Sequence, residues 1–163
     1  MVRLRGHHLL CLLTFVGEGY TPAFTQNFRR IAERLSAGED IEIVEGPDEI
    51  CAPMLDRPEA HCRNRSVRDR DEWALAATAD RLGVSLKAGS VLNLDGERLH
   101  ALRAAFAAGL TRAACDECEW SGLCTRIAHD GFDGTLVQAE CASPASEEAI
   151  AERGPGKPSR PRR

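Results

Sequence analysis

The sequence predicts one small α+β domain, mostly helical, with short strands and a cysteine-ligated metal or cluster site. Three observations carry this. Phe24, Phe28, Ile31 and Leu35 recur at helical spacing and stop before Gly38. Ile41–Glu45 alternates apolar and acidic residues, as a half-buried strand does. Cys115, Cys118 and Cys124 form a C-x2-C-x5-C run whose soft thiolates select zinc, copper(I) or iron–sulfur clusters. A chain of 163 residues is long enough for one hydrophobic core.

Taken in order, Val2–Arg5 reads as a short strand or an extended lead-in. Gly6–Val16 is apolar on nearly every side after its histidines, and its abundant Leu favours a buried helix over a buried strand. On a helix, His7, His8 and Cys11 share adjacent rows of one surface. Thr21-Pro22 is a helix start, Thr as N-cap and Pro in the first turn, and Gly38 is the stop. Gly46-Pro47-Asp48 is a turn after the strand.

Glu49–Ser66 reads as a loop holding Cys51 and His61-Cys62, ground suited to ligands that converge from outside regular elements. Ser66-Val67-Arg68-Asp69 resembles a capping box opening a helix to about Leu82, with Val67, Ala74, Leu75, Thr78 and Leu82 inward and Gly83 beyond its end. The arginine-rich stretch Arg63–Arg70, interleaved with acids, reads as a salt-bridged, solvated helix start. A turn-rich link with a short strand at Ser90–Leu94 follows. Asp95 then caps a helix through Ala108, buried on Leu99, Leu102 and Phe106. A last short helix falls around Leu123–His129. Four of the eight prolines lie in residues 142–163, with little to bury, which predicts a disordered Pro/Arg-rich tail after a domain of residues 1–141.

Charge and cysteine content exclude several classes. The net charge is −4, and the body before the tail is more acidic still, which argues against a nucleic-acid partner. The cysteine count is odd, seven, so a complete intramolecular disulfide set is impossible. Arg3, Arg5 and Leu9–Val16 resemble a secretory leader only faintly, since His7 and His8 interrupt the approach and no small-residue cleavage site follows. No run reaches the length of a membrane span. The expected compartment is the reducing cytoplasm, where clustered thiols mean metal or redox chemistry.

Asp116, Glu117 and Glu119 surround the Cys115–Cys124 thiols, poor company for inert core residues. A thioredoxin-like C-x-x-C opens a helix after a strand, whereas this pair follows a helix. Three thiolates are one short of a usual four-ligand centre, and Cys51 or Cys62 is the expected fourth. Cys11 reads equally as a ligand, a reactive thiol beside His7 and His8, or a core thiol. His7, His8 and Cys11 are thus the catalytic candidates, the histidines as ligands, proton-transfer groups or a buried hydrogen-bonded pair. His100 and His129 fall on solvated helix surfaces, and Cys141 borders the tail. Trp120 is placed to shield the centre.

Three motifs together, R-G-H-H-L-L-C-L (Arg5–Leu12), V-E-G-P-D-E-I-C (Val44–Cys51) and C-x-x-C-E-W-x-x-x-C (Cys115–Cys124), resemble a family of small bacterial and archaeal proteins of unknown function suspected of binding an iron–sulfur cluster. The resemblance spans roughly residues 2–130. It implies that His7, His8, Cys11, Cys51, Cys62, Cys115, Cys118 and Cys124 belong to the family's signature. Its members often carry a second cysteine in a C-x-x-C-P arrangement after the position of Cys51; here Met54 stands there. One four-thiolate centre is therefore the expectation, more in keeping with [4Fe–4S] than with zinc. The expected role is electron transfer or redox sensing with a redox partner protein. The alternatives are a structural zinc module and a cluster-dependent enzyme with three cysteine ligands.

Overall fold

The computed structural model describes residues 1–58, 60 and 62–139. His61, Cys141 and the tail expected at 142–163 lie outside them. The order of elements is β1 (Val2–Leu4), α1 (His8–Cys11), α2 (Pro22–Ser36), β2 (Ile41–Ile43), α3 (Arg65–Leu82), β3 (Val91–Leu92), α4 (Gly96–Ala107) and α5 (Ser121–His129). The three strands form one sheet in the order β1-β2-β3. β1 runs parallel to β2 with Val2 opposite Ile41 and Leu4 opposite Ile43, and β2 runs antiparallel to β3 with Ile41 opposite Leu92. The parallel pair needs a long crossover, which α1 and α2 supply.

Val2, Leu4, Ile41, Ile43 and Leu92 share one sheet face, the alternation a strand imposes, and all five are buried. The stripe of α2 packs on them through Phe24, Phe28, Ile31 and Leu35. Phe28 stacks on Phe15 with ring centroids 3.9 Å apart. The Thr21 hydroxyl accepts from the Phe24 N–H at 3.1 Å, closing the N-cap read from the sequence. Asp95 caps α4 in the same way through the Arg98 N–H, and Leu99, Leu102 and Phe106 are buried.

Several boundaries differ from expectation. Gly6–Val16 is not one helix: α1 ends at Cys11, a 3-10 turn follows at Leu12–Thr14, and Phe15 is extended. The segment is buried on most sides, so tertiary contacts set its ends. The strand at Ile41–Glu45 pairs only through Ile43, and that at Ser90–Leu94 only over Val91–Leu92. α3 starts at Arg65 with Asn64 as N-cap, so Ser66 lies in the first turn and forms no capping box. Leu75 and Leu82 are half-buried, and the inward stripe of α3 is Val67, Asp71, Ala74 and Thr78.

Asp71 is inward because the chain leaving β1 crosses α3 at very short range. A Cβ on Gly6 would lie 2.2 Å from the Asp71 carbonyl oxygen and 2.9 Å from its Cα, a backbone-to-backbone approach that no other residue permits. Gly6→Ala is therefore expected to cost about 3 kcal/mol, at the upper end of overpacking effects. Urea denaturation checks this; a variant as stable as the parent would mean that the two segments separate freely.

Candidate functional site

Arg5, fully buried, closes this crossing chemically. Its Nε and Nη2 donate to both oxygens of Asp71, at 2.9 Å and 2.7 Å to Oδ2 and 3.2 Å to Oδ1. Its Nη1 donates to the Cys62 carbonyl oxygen at 2.7 Å and lies 4.0 Å from Cys51 Sγ. One guanidinium thereby ties β1, α3 and the cysteine loop together. The same Asp71 carboxylate accepts the His7 N–H at 3.1 Å and meets His7 Nδ1 at 2.7 Å. His8 Nδ1 meets Asp48 Oδ2 at 2.6 Å, and Asp48 also accepts the N–H groups of Arg5 and Cys51.

Each histidine is therefore braced by its own carboxylate, with the two rings 4.4 Å apart. An ionised carboxylate can only accept, so Nδ1 carries the proton in both pairs and Nε2 is the remaining ring nitrogen. This is the arrangement that fixes the tautomer of metal-binding or proton-transferring histidines. Burial and the adjacent His8 pull His7 down to about 4, outweighing the attraction of Asp71, so its ring is neutral at pH 7. Asp71 opposes its own burial with hydrogen bonds from His7 and Arg5 and ends at about 2. Asp48 also lies below the usual carboxylate range: burial raises it, but His8 and the two amides prevail.

A cavity of about 130 Å³ runs beside these pairs, far above the roughly 10–15 Å³ that one water needs. Its lining includes His7 and His8 together with Cys11, Cys51, Cys62, Cys115, Cys118 and Cys124, all of them free thiols. The cysteines predicted from sequence thus meet around one space. Within it they fall into two groups. Burial pushes the Cys11 thiol well above its ordinary value, and Cys118, Cys124 and Cys115 are the thiols that push it further. Burial also raises Cys51, with Asp48 and then Cys62 as its close acidic neighbours. Cys11 thus has the thiols of the Cys115–Cys124 run in its electrostatic surroundings, and Cys51 has Cys62 in its own.

The run is built for this. Cys115 ends a 3-10 turn, and the Cys118 N–H returns to the Cys115 carbonyl at 3.1 Å. Between them Glu117 holds φ of 60°, a left-handed conformation uncommon for any residue but glycine. Such local strain persists only where surrounding structure imposes it, and it clusters at functional sites. The Thr14 hydroxyl donates to Cys124 Sγ at 3.1 Å, joining the turn after α1 to α5. Arg112 donates to the Ser121 carbonyl and to the Ser121 and Thr125 hydroxyls, fixing the start of α5. Burial raises the thiols of Cys115 and Cys124, which Arg112 and Thr14 partly offset. Trp120 lines the cavity and packs edge-on against Tyr20, 5.5 Å between centroids.

Among the described residues, His8, Asp48 and Cys51 are a buried group whose ligand-type atoms all lie within 4.8 Å of one another. The thiols of Cys11, Cys115, Cys118 and Cys124 supply no such tight group. A tetrahedral zinc with ~2.3 Å bonds holds its sulfurs about 3.8 Å apart. No three of these four thiols stand that close together. His100 and His129 are exposed, as expected.

Asp48 and Asp71 were not among the residues singled out from sequence. Asp71 left one signal there: it occupies the inward row 67-71-74-78 of its helix. Residues 19–124 match the family described as a protein of unknown function, DUF1284. The chain belongs to this family. The DUF1284 match covers Cys51, Cys62 and the Cys115–Cys124 run and begins after the His7–Cys11 segment. No curated protein and no solved structure matches the chain. Among the described residues of this DUF1284 chain, no helix is long and apolar enough to cross a membrane.

Proposed function

We propose that this chain binds one iron–sulfur cluster of the [4Fe–4S] type through Cys11, Cys115, Cys118 and Cys124, and serves electron transfer or redox sensing with a partner protein. The observation that carries the reading is that Cys11, Cys115, Cys118 and Cys124 line one cavity, with the Thr14 hydroxyl bonded to Cys124 Sγ. Cys11 replaces Cys51 or Cys62 as the fourth ligand in this reading. A cluster so held supplies reversible one-electron chemistry. The chain's part is to exclude water with Trp120, Phe24 and Phe106, and to hold a hydrogen bond from Thr14 on one ligand sulfur, a contact that raises the potential. The raised thiols mean that loading must displace protons, so assembly is favoured as pH rises.

A second reading, a cluster-dependent enzyme, draws on His7. Its neutral ring gives Nδ1–H to Asp71 and keeps Nε2 for a proton at the same cavity. Anaerobic purification followed by a visible spectrum and iron, sulfide and zinc quantification tests the proposal. A brown protein with matched iron and sulfide is expected. A colourless protein with zinc held by Cys115 and Cys118 overturns it in favour of a structural zinc module.

A further inference from the structure

Asp71 and Asp48 are both buried carboxylates, but their charges are balanced differently. Asp71 is neutralised by the bidentate guanidinium of Arg5. The Asp48 side chain has no exposed surface, and its partners are two backbone amides and the imidazole of His8. Three donors thus converge on this one buried carboxylate. Two thiols border the same point. Cys51 completes the tight group with His8 and Asp48, and its N–H is fixed on Asp48 Oδ1 at 3.0 Å. Cys62 sits beside Cys51, its carbonyl pinned by the same guanidinium that approaches Cys51 Sγ.

We propose that His8, Asp48 and Cys51, completed by Cys62, form a second, mononuclear site for a zinc-class divalent cation, separate from the four-thiol centre of Cys11, Cys115, Cys118 and Cys124. Imidazole nitrogen, carboxylate oxygen and thiolate sulfur are the donor set zinc takes. The size of the rearrangement is modest. Zinc bonds of ~2.0–2.2 Å at a tetrahedral angle place nitrogen and oxygen ligands about 3.3 Å apart, so the 2.6 Å pair of His8 and Asp48 opens by well under 1 Å as the shared proton leaves. The remaining ligand atoms, all within 4.8 Å of one another, close by at most about 1.5 Å. Two thiolates and a carboxylate around a divalent ion leave one negative charge, on the side where Arg5 Nη1 lies 4.0 Å from Cys51 Sγ.

His8, Cys51 and Cys62 line the cavity that the other thiols share, so the two proposed centres lie against one space. It rests on the cluster proposal only for what the neighbouring centre is; its own residues do not overlap with that one.

The test uses the full chain purified anaerobically, with Zn(II) and the visible probe Co(II) added alone. One Co(II) per chain with thiolate charge-transfer absorption is expected. Cys51→Ala and His8→Gln each weaken it at least tenfold, and Cys118→Ser leaves it unchanged. On the wild-type chain, where no variant can confound folding, Zn(II) is expected to slow alkylation of Cys51 and Cys62 at least tenfold, mapped by mass spectrometry. Unchanged alkylation of Cys51 under saturating Zn(II), or Co(II) binding that follows Cys118 alone, overturns the second site. Failure of the cluster proposal has a different signature, an absence of iron and sulfide, and leaves the Cys51-dependent ion in place.

Discussion

Arg5→Met is expected to remove about 3–5 kcal/mol of stability, the loss measured when one member of a buried ion pair is deleted. Whole domains are stable by only ~5–15 kcal/mol, so this variant should sit at the edge of folding. The cause is what remains behind. Asp71, with little of its side chain exposed, keeps its charge and loses its guanidinium, and the Cys62 carbonyl loses its donor. Arg5→Lys should fall between the two proteins, because an ammonium keeps the charge but not the fork. Urea unfolding gives the order, and a loss below about 1 kcal/mol for Arg5→Met would falsify the account. Acid unfolding gives an independent check. Asp71 titrates at about 2 in the fold against ~3.9 in the unfolded chain, so its contribution is whole above pH ~4 and is lost as pH falls towards 2. Without Arg5 that loss begins at higher pH.

Cys11→Ser is expected to abolish the visible chromophore and reduce iron to a small fraction of one cluster per chain, as are serine variants of Cys115, Cys118 and Cys124. Cys51→Ser and Cys62→Ser are expected to keep it. The division follows from which thiols share an electrostatic neighbourhood and from the bond between Thr14 and Cys124, which places the end of α1 against α5. Serine is close in size to cysteine, so far-ultraviolet circular dichroism should be unaltered in the stripped variants. Retention of iron by Cys11→Ser together with its loss from Cys51→Ser would return the fourth position to the cysteine loop.

Regular elements with local signals were legible in the sequence. Thr21-Pro22 announces α2, and Asp95 announces α4, because a cap is decided within four residues. The C-x2-C-x5-C run also announces three thiols that meet, and in the fold they line one cavity. The rest depends on closures across the chain. Arg5 and Asp71 are 66 positions apart, and nothing local distinguishes Asp71 from the other acids in an arginine-rich stretch. Only its place on the row with Val67, Ala74 and Thr78 marks it, and that row reads as apolar until a partner for its one charge is known. Gly6 likewise reads as a helix boundary, while its role is to let two backbones touch. The division of the thiols was illegible for the same reason: Cys11 is remote in sequence from the run it faces.

Thr14 and Cys124 stand 110 positions apart, and Cys11 meets the Cys115–Cys124 run across nearly the same arc. In the proposed reading, a cofactor held by Cys11 and by the Cys115–Cys124 run would clasp α1 to the segment that leads into α5. A tie around a loop of that length restricts the unfolded chain by ~4–5 kcal/mol in the chain-entropy view. Without that clasp, the tie between α1 and α5 would rest on packing and on the bond from Thr14 to Cys124. A chain so clasped would resist proteolysis in step with how fully its centre is loaded.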